Sequence, residues 1–140
     1  MALFIAADGP LPLVPWDDSR PAFHVDALSA HYEAVRRHFT KPYAYYVGAH
    51  TECSCGFSYG QIDPTDESDR ADDRAGRASV LALKHYVEAA IQKVGSVEMF
   101  SSWEGYWDQE AEQRLEITPA WFGGAVFRLP EKVAYHVKSV

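Results

Sequence analysis

Only two cysteines occur in the 140 residues, Cys53 and Cys55, so no disulfide framework staples this chain. Lysine and arginine are scarce as well: 13 against 20 aspartates and glutamates, for a formal net charge of −7. Phosphate backbones are held by clustered basic side chains, and the sole basic cluster here is Arg36-Arg37-His38. It falls near the end of an expected helix, where it complements the helix dipole. Nucleic acid is therefore excluded as the main partner. Long apolar runs are missing too. Nothing approaches the ~20 residues of a membrane span. The opening Met1-Ala-Leu-Phe-Ile-Ala-Ala-Asp8 has no basic stretch and meets an acid after a short apolar run, unlike a secretory leader. With free thiols expected, the chain is placed in the cytoplasm.

Catalytic signatures are also absent. There is no glycine-rich phosphate loop, no His-Glu-x-x-His, no Gly-x-Ser-x-Gly and no Cys-x-x-Cys. No cofactor is implied.

What is present is a globular composition, 47% hydrophobic and 24% charged, with aromatics at 14%. The length suits one domain spanning residues 1–140. Ala2–Ala7 is apolar without a break and ends at Asp8-Gly9-Pro10, the pattern of a buried strand and a turn. Leu11–Trp16 carries two internal prolines and suits only an edge or irregular strand. Asp26 is a cap residue before Leu28, Tyr32, Val35 and Phe39, whose spacing predicts a helix over 26–39 with one apolar stripe. Glu33 and Arg37 form an i,i+4 pair on it. His31 and His38 share a further face and are expected at the surface. Tyr43–Gly48 reads as a strand, with a returning strand in 56–60.

Asp63–Arg77 is the most polar stretch and is expected to be a solvated, mobile loop running into a helix start. From Arg77 to Val94, Val80, Leu83, Val87, Ala90, Ile91 and Val94 keep helical spacing, and Gly95 follows as a stop. Val97–Trp103 and the alternation around Leu115 and Ile117 read as strands. Val126–Leu129 and Val133–Val137 read as a closing hairpin. The order predicts an α+β domain: a mostly antiparallel sheet with two amphipathic helices packed on one face.

Two segments concentrate chemistry. Gly48-Ala-His-Thr-Glu-Cys-Ser-Cys-Gly56 places His50, Cys53 and Cys55 together, residues able to act as a thiol nucleophile with its base or to ligate a soft metal. A fourth ligand would have to come from His24, His85 or His136. Regular strand alternation sends both cysteines one way and His50 the other, so no metal site is assigned. A mutual disulfide across a one-residue gap is strained, so both thiols are expected reduced, on or beside a strand. Packing is the simplest role for such cysteines.

Ser101-Ser-Trp-Glu-Gly-Tyr-Trp-Asp108 gathers aromatics and acids around a glycine. Trp103, Glu104, Tyr106 and Trp107 are the candidate ligand-binding residues, because loop aromatics beside carboxylates suit recognition. A non-enzymatic module that docks a basic protein partner or a small ligand is the leading functional expectation. A thiol- or metal-dependent enzyme built on His50, Cys53 and Cys55 is the alternative.

Overall fold

The continuous apolar run Ala2–Ala7 becomes the central strand β1, because a strand covered on both faces has no side that needs to be polar. A computed structural model describes all residues, Met1–Val140. Strands β2 (His24–Ala27) and β3 (Tyr43–Gly48) follow β1, then the short β4 (Ser58–Tyr59). Helix α1 (Glu67–Val94) leads into β5 (Ser96–Ser102), β6 (Gln113–Ile117), β7 (Phe127–Arg128) and β8 (Val133–Lys138). The main sheet has the order β2-β3-β1-β5-β8-β6, and β4 with β7 makes a separate two-stranded ribbon. Every pairing is antiparallel except β6 with β8. The fold is α+β, as the element order predicts.

Alternation along β1 sorts the core. Leu3, Ile5 and Ala7 meet Val80, Leu83, Val87 and Ile91 of α1. Ala2 and Phe4 point the other way, into a smaller cluster with Val35, Tyr46, Phe100 and Ala134. Burying each large apolar side chain contributes about 1.5–3 kcal/mol, so both faces matter to stability.

Several details differ from the sequence expectation. The two helices do not share a face: α1 covers one side of the sheet, and a 3₁₀ helix over Ala30–His38 covers the other. Asp26 does not cap a helix. It extends β2, paired with Tyr46, and its carboxylate serves His24. A residue with cap chemistry can equally end a strand, and Ser29 takes the N-cap position instead. The stripe Leu28, Tyr32, Val35 and Phe39 nevertheless packs as its spacing requires. Glu33 pairs with Arg36 rather than Arg37, which reaches across to Glu110 and the Asp108 carbonyl. His38 is buried, its ring stacked on Phe100 with centroids 3.7 Å apart.

Most of the acidic stretch is helical. Asp66 accepts a hydrogen bond from the Asp69 amide, and Glu67 and Asp69 sit in the first turn, where carboxylates favour the helix dipole. Helix α1 therefore starts ten residues before Arg77, 28 residues long. Leu11–Trp16 contributes a single bridge, Val14 to Val25, as its prolines demand. The expected closing hairpin does not form. Phe127–Arg128 leaves to pair with β4, while β8 inserts between β5 and β6. Phe127 is drawn away by Tyr59, which stacks on it, and by Trp121, which meets it edge-on. No helix is long and apolar enough to cross a membrane.

Candidate functional site

Beyond β3 the chain reverses sharply. The Glu52 amide donates to the Ala49 carbonyl at 3.0 Å and the Ala49 amide to the Cys53 carbonyl at 3.1 Å. Glu52 adopts φ 71°, a left-handed conformation uncommon outside glycine. Ser54, buried, clamps the turn: its hydroxyl accepts from the Leu3 amide at 2.8 Å and donates to the Val47 carbonyl at 2.6 Å. Ser54–Gly56 is one turn of 3₁₀ helix.

Where two separate reduced thiols beside a strand were expected, that turn instead brings the sulfurs of Cys53 and Cys55 into a disulfide-like contact. In an extended strand, residues two apart lie about 6.6 Å from one another. The smaller rise of the 3₁₀ turn brings the two Cα atoms to 5.3 Å, inside the range a disulfide spans. Cys55 is exposed and Cys53 half-buried. The Thr51 hydroxyl oxygen lies 3.4 Å from the Cys53 sulfur and 3.6 Å from that of Cys55.

His50 is turned toward α1 instead. Its Nδ1 lies 3.0 Å from the Ser79 hydroxyl, which also accepts from the His50 amide. Burial holds the His50 pKa below its ordinary value, against the opposing charge of Asp72. His50 and Cys55 share one shallow depression with Asp69, Asp72 and Asp73. His24 opens strand β2 and has other partners, His85 is exposed on α1, and His136 faces Glu116 at 3.3 Å. Hence no three metal-ligating side chains converge.

The aromatic loop after β5 is divided. Trp107 is half-buried, edge-on to Tyr32 and His31 at centroid distances of 5.1 Å. Tyr106 faces Lys132, whose ammonium sits 5.4 Å from the ring centroid. Trp103, 43% exposed, lies beside Cys55 and Arg128 in another depression. Glu104 turns toward β2 and β3.

There it completes a cleft of about 370 Å³ that sequence reasoning did not assemble. The acidic residues Asp26, Glu52 and Glu104 line it, and aromatic walls come from Trp16, Tyr32 and Tyr46. Tyr32 and Tyr46 stack with centroids 5.3 Å apart and planes within 13°. Burial pushes both phenols above their ordinary pKa, and the Glu104 charge adds to it, so both remain protonated donors. Trp16 packs edge-on to the His24 ring at 5.0 Å. His24 sits at the floor, Nδ1 3.0 Å from the Asp26 carboxylate and Nε2 2.7 Å from the Glu52 carbonyl. Each ring nitrogen thus faces an oxygen acceptor. Cys53 lies on the same wall.

No lysine or arginine lines this cleft, and its carboxylates outnumber the one histidine. Aromatic faces and fixed carboxylates in one concavity attract an ammonium or guanidinium group, by cation–π and charge-assisted contacts. The available sequence signal was His24-x-Asp26, two polar side chains on one face of a strand. Nothing local linked it to Trp16, Tyr46 or Glu104. Comparison with protein-family models, with curated proteins and with solved structures finds no match.

Proposed function

We propose that the chain is a single non-enzymatic binding domain whose cleft receives a cationic group, foremost a lysine or arginine side chain of a basic protein partner. One observation carries this reading: Asp26, Glu52 and Glu104 share a cleft with Trp16, Tyr32 and Tyr46, and no lysine or arginine neutralises them. The net charge of −7 adds long-range attraction for a basic partner and turns the reading away from nucleic acids. Of the aromatic loop, Glu104 is the residue assigned to contact the ligand.

Titration of isotope-labelled protein with short arginine- or lysine-containing peptides tests the reading. Shifts concentrated on Tyr32, Tyr46 and Trp16, weakened about tenfold in Glu104→Gln, are expected for loss of one charge-assisted contact. Glu104 is exposed, so this variant keeps its fold. Equal response to an acidic control peptide, or binding unchanged in Glu104→Gln combined with Glu52→Gln, would overturn it.

A further inference from the structure

We propose that Cys53 and Cys55 form a two-electron dithiol–disulfide couple that exchanges with small cationic thiols and their disulfides. This goes beyond the cleft's binding role, because it rests on the sulfurs and on the charge around each of them. Three observations carry it. The sulfurs are brought together by a turn that Ser54 holds through two buried hydrogen bonds, so the dithiol is preorganised to close again after opening. Cys55 is exposed to an attacking thiolate, while Cys53 is half-buried on the cleft wall. The Thr51 hydroxyl donates to the Cys53 carbonyl at 2.9 Å and its oxygen lies 3.4 Å from the Cys53 sulfur, which fixes Cys53 beside Cys55.

Opening proceeds in two displacements. An external thiolate attacks the Cys55 sulfur, forming a mixed disulfide. The Cys53–Cys55 bond breaks, and Cys53 departs with the electron pair and takes a proton from solvent. A second external thiolate then attacks the external sulfur of the mixed disulfide. It leaves as the external disulfide, and Cys55 is released as thiolate. Two thiols are oxidised and the protein gains two electrons; closure is the reverse, with the external disulfide as oxidant.

Charge selects the co-reactant. Asp69, Asp72 and Asp73 line one depression at Cys55, with Asp73 paired to Arg77, and Arg128 lines the other; Asp26, Glu52 and Glu104 line the cleft at Cys53, so acids outnumber bases around the pair. This net negative field disfavours anionic thiols and draws in amine-bearing ones.

The test uses the full oxidised chain under native conditions, with cysteamine or glutathione as reductant, maleimide quenching and intact-mass readout. Rates are normalised to those of each thiol with a free small disulfide. Two labels per chain, cysteamine faster by about tenfold at low salt, and a gap that narrows at high salt are expected. In Cys53→Ser, cystamine should leave a stable adduct on Cys55. A pair that excess cysteamine opens only after denaturation would overturn the couple. So would a reduced pair that cystamine cannot close. Glutathione reacting as fast as cysteamine at low salt would overturn the cationic preference, whether or not peptides bind the cleft.

Discussion

The Nε2 of His24 lies 2.7 Å from the main-chain oxygen of Glu52, a residue 28 positions later in the chain. This bond ties the edge strand β2 to the turn that carries both cysteines. It is made possible by the neighbouring strand: His24 pairs in register with Gly48, and any Cβ at that position would collide with the imidazole and with the Glu52 oxygen.

Gly48→Ala should therefore destabilise the protein by several kcal/mol, roughly the scale of core overpacking joined to a broken buried hydrogen bond. Denaturant unfolding checks it. Loss below about 0.5 kcal/mol, the usual range for surface changes, would show that the His24 ring moves aside freely.

The interior face of α1 separates sharply from its exterior. Leu83 is fully buried and Leu81 is 52% exposed. Leu83→Ala should cost about 2–5 kcal/mol by lost burial and cavity formation. Leu81→Ala should stay within about 0.5 kcal/mol. Comparable losses in the two variants would mean that the helix packs by another face.

Two histidines make stability sensitive to mild acid. Burial lowers the pKa of both His38 and His50 from the ordinary 6.5. Arg37 and Arg114 press the His38 pKa further down; the Trp107 carbonyl and Glu110 act against this, as Asp72 does for His50. As pH falls through 6.5 the unfolded chain takes up protons that the folded one refuses, so stability drops until the lower folded values are reached. Melting temperature should decline between roughly pH 7.5 and 5.5, above the carboxylate range. The decline should be shallower in His38→Gln. An identical slope in that variant would remove His38 from the effect.

The two loop tryptophans should part company. Trp107 packs on Tyr32 and receives His38, whose Nε2 donates to its carbonyl at 2.6 Å. Trp107→Ala should lower stability by about 2–4 kcal/mol, below full-core values because the ring is half-buried. Trp103→Ala, at an exposed position, should change stability by about 0.5 kcal/mol or less. Thermal unfolding of both variants decides it, and equal losses would contradict the division of this loop.

Much of the fold can be read directly from the residues. The unbroken Ala2–Ala7 run is the central strand, Tyr43–Gly48 is its neighbour, and the stripe from Val80 to Ile91 is the buried face of α1. These are short-range signals: a period of side chains reports which face is covered, whatever covers it. Reading failed where two local signals compete. Asp26 has the chemistry of a helix cap and the position of a strand residue. The acidic residues before Arg77 resemble a solvated loop and also suit the first turns of a helix.

The candidate site was less legible. Cys53, Cys55 and His50 stand out by type, but their spacing does not say that a 3₁₀ turn joins the sulfurs while Ser79, on another element, takes the imidazole. Sequence by itself determined the α+β element pattern, the acidic charge and the apolar faces, because each depends on side chains adjacent along a strand or helix. Only the tertiary structure decided that β7 leaves β8 for β4, that the helices take opposite faces, and that Trp16, Asp26, Tyr46 and Glu104 meet in one cleft. Those choices compare competing long-range contacts, and the free energy separating them lies in packing between residues that the chain itself keeps far apart.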